Sequence, residues 1–192
     1  MTTPLLVRIG IWTWFIVAIL VGNYRLLQRL PMPAIQGVLF SLTAILLLLY
    51  FKLGALRTWI DGLDLRSLVL LHVTRFVGFY FLVLYNRGEL PYEFAVPGGW
   101  GDNLTAALAL VVVFLPMGDA LRRRALTIWN VIGFVDILMV VVTAARIGLV
   151  APWRMMALTV LPLSLLPTFL VPLIVATHVI IFLRLRRESP AA

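Results

Sequence analysis

Six long stretches of the chain are almost wholly apolar: Leu5–Gly22, Ile35–Phe51, Ser67–Tyr85, Gly98–Met117, Ala125–Ala145 and Val160–Leu183. Short segments rich in Arg, Pro and Gly separate them. A helix needs about 20 apolar residues to cross roughly 30 Å of hydrocarbon, and each stretch approaches or meets that length. The runs are continuous rather than alternating, which excludes a lipid-facing barrel, and an open sheet would leave unpaired edges in lipid. The predicted fold is therefore all-α: a polytopic integral membrane helical bundle of about six transmembrane helices, forming a single domain over residues 1–192.

The distribution of positive charge orients the bundle. With Arg75 left out because it falls inside a run, ten basic residues fall on one side: Arg8, Lys52, Arg57, Arg66, Arg122, Arg123, Arg124, Arg184, Arg186 and Arg187. Five fall on the other: Arg25, Arg29, Arg87, Arg146 and Arg154. The positive-inside bias places both termini in the cytoplasm and the protein in the plasma (inner) membrane as a multi-pass chain. The first run lacks a clear small-residue cleavage site and reads as an uncleaved span.

Two loops carry further expectations. On the outer side, Asn86–Pro97 mixes Glu89 and Glu93 with Tyr92 and Phe94, which suits a segment at headgroup level. The following Gly98-Gly99-Trp100-Gly101-Asp102-Asn103 reads as a tight turn, with Asp102 capping the fourth helix. It has neither the lysine nor the spacing of a phosphate-binding loop. Pro162, Pro167 and Pro172 predict a kinked last span.

Composition narrows the function classes. Apolar residues make up 62% of the chain and charged residues 12%, well under the roughly 25% of a soluble domain. The formal charge of +8 sits at the ends of apolar runs, which argues for anionic lipid headgroups as partners and against nucleic acid. The absence of cysteine excludes disulfides, thiolate metal sites and cysteine nucleophiles. No serine elbow, zinc-protease motif or pair of carboxylates on one helix marks an enzyme, so no catalytic residue is assigned.

The informative residues are the polar ones deep in the runs, since an ionisable group there costs several kcal/mol unless it is paired. His72 and His178, the two histidines of the chain, each lie five residues from the cytoplasmic end of their spans, roughly 8 Å deep. Asn130 falls at the same level. Two imidazoles at one depth on spans of opposite direction are candidate axial ligands for haem b, or a site for a quinone, with Phe76 and Phe79 packing on the ring. The same two residues are the candidate metal ligands, although a non-haem site wants a third ligand such as Asp136. The alternative is an ordinary interhelical hydrogen bond at each histidine.

Arg75 and Asp136 lie at about 12 Å and 17 Å, a gap that an arginine side chain spans. They are expected to pair, as a proton or substrate relay with Asn130 or as an ion pair fixing helix register. Three functions stay open at this point. One is an electron-transfer module holding haem or quinone at His72 and His178. Another is a small transporter or proton-relay protein using Arg75 and Asp136. The third is an accessory subunit packed against other membrane subunits or further copies of itself.

Overall fold

The computed structural model describes residues 3–187, so the chain ends whose cytoplasmic location is expected above lie outside the described residues. Helices account for most of the described residues, with no strand among them. In order they are α1 Leu5–Asn23, α2 Met32–Lys52, α3 Gly54–Asp61, α4 Leu65–Leu70, α5 Gly78–Asn86, α6 Tyr92–Phe114, α7 Asp119–Val150 and α8 Val171–Arg187. Tighter 3₁₀ segments cover Leu26–Arg29, Leu71–Val77 and Pro152–Thr159, and a π-turn covers Leu166–Leu170. Six helices are long and apolar enough to cross a membrane: Leu5–Asn23, Pro33–Lys52, Leu65–Asn86, Tyr92–Phe114, Asp119–Val150 and Leu166–Arg187.

The helix ends follow local chemistry. Pro91 precedes α6 and Glu93 sits in its first turn, where a fixed φ and a negative charge both favour a helix start. The fourth span thus begins at Tyr92, earlier than predicted, and the segment expected at headgroup level is mostly helix. α5 ends in a Schellman motif: Gly88, at φ 73°, donates to Tyr85 O at 2.9 Å, and Glu89 donates to Leu84 O at 2.9 Å. Asp64 caps α4 by accepting from the Arg66 amide at 2.9 Å.

The chain divides into two compact units, and the division falls within α7 and α8. The first comprises Met1–Leu63 and Ala144–Ala176. Here the proline-rich segment meets α1. Pro172 has no N–H for the carbonyl four residues before it, and the Trp14 indole donates to that Thr168 carbonyl at 2.8 Å instead. Phe169 packs on Trp14 and Phe15 at ring centroid distances of 4.6 and 5.2 Å. Gly22 lets α1 approach Leu161 and Ser164, where a Cβ would overlap both side chains.

The second unit comprises Asp64–Thr143 and Thr177–Ala192. Its third span packs closely on α6 because Gly78 and Gly99 face each other, and a Cβ on Gly99 would come within 2.7 Å of the Gly78 carbonyl. Small residues, Ala95, Gly98, Gly99, Ala106 and Ala109, supply much of the buried surface of α6, beside larger ones such as Phe94 and Val112. The glycines expected in a turn are therefore a packing surface.

Candidate functional site

A 3₁₀ segment interrupts the third span at Leu71–Val77. With three residues per turn, positions three apart eclipse, so His72 and Arg75 share one face of the helix. Both are fully or almost fully buried, at 0% and 1% exposure. Each becomes the centre of one half of a polar core.

Arg75 uses all three guanidinium nitrogens within the protein. Its Nε donates to Asp102 Oδ1 at 2.6 Å, Nη1 donates to the Gly133 carbonyl at 2.8 Å, and Nη2 is paired with Asp136 Oδ2. The structure thus brings Arg75 and Asp136 together, and adds a partner that sequence reasoning missed. Asp102 is no helix cap. It lies well inside α6, with its side chain 5% exposed, whereas that of Asp136 is 20% exposed. Pro91 and Glu93 were the available signal: a helix starting there carries Asp102 into its middle. Gly101 makes the arrangement sterically possible, because a Cβ at that position would overlap the Asp136 carboxylate.

The second half surrounds the histidines. The His72 and His178 rings lie in direct contact, with centroids 4.2 Å apart and planes at 57°. Trp129 stands edge-on to His72 at 4.9 Å and lies 5.6 Å from His178, while its indole N–H donates to the Thr105 carbonyl at 3.0 Å. Thr177 Oγ1 hydrogen-bonds His72 Nε2 at 3.2 Å. Asn130 binds α8 twice: Nδ2 donates to the His178 carbonyl at 3.1 Å, and Oδ1 lies 2.8 Å from His178 Nδ1. Thr105, Trp129 and Thr177 carried no signal in the sequence, since each type is common in apolar helices.

Gly133 joins the halves. Its carbonyl accepts from Arg75, and a Cβ there would lie 2.7 Å from Thr105 Cγ2 and 2.9 Å from His178 Cε1. Several buried polar atoms around it have no hydrogen-bond partner: His72 Nδ1, His178 Nε2, Thr105 Oγ1 and both amide atoms of Asn103.

This geometry does not fit a haem held between the two histidines. Two imidazoles on one iron, each with a nitrogen about 2 Å from the metal, have ring centres about 6 Å apart. At 4.2 Å the His72 and His178 rings touch, and no flat haem or quinone fits between them. Phe76 and Phe79 stack on each other, with centroids 5.8 Å apart, and Phe79 is 53% exposed, so they do not line such a slot. For a non-haem metal the histidines lack company: among the described residues no three His, Cys, Asp or Glu side chains gather as a metal site. Asp136 is committed to Arg75.

Chemically, the core offers one fixed cation between two carboxylates, and beside it a pair of imidazoles with a free nitrogen each. If both carboxylates are ionised, the group of three carries a net charge of −1. Such a site favours a positive charge, a proton or another cation, arriving next to it. No curated protein and no solved structure matches the chain. Residues 32–186 match the family described as Domain of unknown function (DUF8737), and the chain belongs to that family.

Proposed function

We propose that the protein is a multi-pass proton-relay or proton-coupled transport protein of the plasma (inner) membrane, with both termini cytoplasmic, and that the Arg75–Asp102–Asp136 group is its working centre. The observation that carries the reading is a single buried guanidinium held between two carboxylates, one of them partly accessible. A pair suffices to compensate a buried arginine. When both carboxylates are ionised, the second leaves an excess negative charge, which is expensive in an apolar core unless a proton or another mobile cation neutralises it.

Membrane insertion is supported by the apolar exterior: Leu6, Phe114 and Val150 are 82%, 71% and 78% exposed, a surface suited to lipid rather than water. The orientation is supported by Arg123, whose guanidinium pairs with the Leu185 carbonyl and so brings two basic clusters, Arg122–Arg124 and Arg184–Arg187, to one end. Anionic lipid headgroups are the partners that this end suits.

The test is proton flux in vesicles loaded with a pH-sensitive dye. Wild-type protein should dissipate an imposed pH gradient faster than empty vesicles, and Asp136→Asn should return the rate to that of empty vesicles. A wild type no faster than empty vesicles would remove the proposal.

A further inference from the structure

Asn130 does more than link α7 to α8. A backbone carbonyl only accepts hydrogen bonds, so the Asn130 atom facing the His178 carbonyl at 3.1 Å is the amide nitrogen. Its oxygen is then the atom 2.8 Å from His178 Nδ1, and an oxygen acceptor there requires the ring proton on Nδ1. In the neutral ring, Nε2 consequently holds a bare lone pair. That atom is buried and has no hydrogen-bond partner. Gly133 lies over this edge of the ring, and even a Cβ would approach Nε2 to 3.2 Å, so only glycine leaves it clear.

We infer that Asn130 is a positioning residue that locks His178 as its Nδ1–H tautomer, presenting the Nε2 lone pair as the fixed acceptor for the mobile proton of the core. The inference rests on the proton-handling function proposed above. It also limits the mechanism. A histidine passing protons along a chain takes one at one nitrogen and releases one from the other, which here would break the bond to Asn130. His178 instead takes and returns the proton at Nε2. The titratable group in contact with it is His72, whose ring centroid lies 4.2 Å away, and the nearest fixed charge is Arg75, which itself binds Asp102 and Asp136.

The experiment is ¹⁵N NMR of the full chain, labelled at histidine and embedded in lipid bilayers, with His72→Gln used to assign the two rings. In the wild type, His178 should show a protonated Nδ1 and an unprotonated Nε2. Asn130→Leu should release the lock and populate the Nε2–H form, whereas Asn130→Asp, which keeps an oxygen acceptor, should preserve Nδ1–H. In the vesicle assay Asn130→Leu should lower proton flux about tenfold, by analogy with the low end of what a lost orienting partner costs a metal-bound histidine, and Asn130→Asp should restore most of it.

An Nε2–H ring in the wild type overturns the inference, and that spectrum decides even if Asn130→Leu does not fold. An unchanged tautomer in folded Asn130→Leu also overturns it, as does full flux alongside a switched tautomer. A wild type with the Nδ1–H ring but no proton flux instead removes the proposed function, and the acceptor role with it, while leaving the lock in place.

Discussion

Arg75 has no water to fall back on, since its side chain is 1% exposed and each of its nitrogens is committed to a protein oxygen. Replacing it alone by leucine leaves Asp102 and Asp136 without their shared cation, and breaking a buried ion pair in this way costs about 3–5 kcal/mol. Arg75→Leu should therefore lower stability by about that amount in a reversible unfolding assay in detergent. Replacing all three residues by leucine should cost clearly less, because no unpaired charge remains. Strictly additive losses would show that the three do not act as a unit.

The glycines around the core give a second prediction at this scale. A methyl at Gly101 overlaps the Asp136 carboxylate, and one at Gly133 presses on Thr105 and His178. Gly101→Ala and Gly133→Ala should each cost about 1–3 kcal/mol, as overpacking does. Gly37→Ala, which has nothing within 4 Å of the added carbon, should change the same unfolding midpoint little. Equal effects at Gly37 and Gly101 would contradict the close approach of α6 to Asp136.

At the scale of elements, α1 supports the proline-rich last span through one indole N–H. Trp14→Phe keeps the ring packing on Phe169 but leaves the Thr168 carbonyl without that donor, which should cost about 1–3 kcal/mol in thermal unfolding. In a Pro172→Ala background an amide N–H returns at position 172, and the Trp14→Phe penalty should shrink. An undiminished penalty would mean that the indole acts through packing alone.

The elements also show what was legible in the sequence. Continuous apolar runs encode span length directly, so the six long helices were readable. Their faces were not. A helix apolar on all sides has no polar stripe to reveal which residues turn inward, as with α6 and α7, whose small and apolar residues alternate without a marked face. Asp102 was misread for a related reason: it follows three glycines, a pattern shared by turns and by closely packed membrane helices. The similar depth of His72 and His178 was legible from residue counting. Their ring contact, which leaves no room for haem between them, depends on the 3₁₀ segment and on Asn130, neither of which leaves a periodic trace.

For the whole molecule, the proposed topology rests on the basic ends of the spans. Reporter fusions at Arg57 and Arg123 should score cytoplasmic and fusions near Glu93 and Pro152 external, whereas a cytoplasmic Glu93 would overturn the six-span reading. Protein purified with haem supplied during expression should show no Soret band, since the histidine rings leave no room for the macrocycle. A stoichiometric band lost in His72→Ala or His178→Ala would restore the electron-transfer reading.

The proton-handling claim is tested most directly by comparing wild type with the Arg75→Leu/Asp102→Leu/Asp136→Leu variant in the same vesicles. That variant removes every charge of the central group at a smaller cost in stability than removing Arg75 alone, so folding and function separate. The folded variant should show proton flux no faster than that of empty vesicles while the wild type dissipates the gradient. A folded variant that conducts protons as fast as the wild type would contradict that claim.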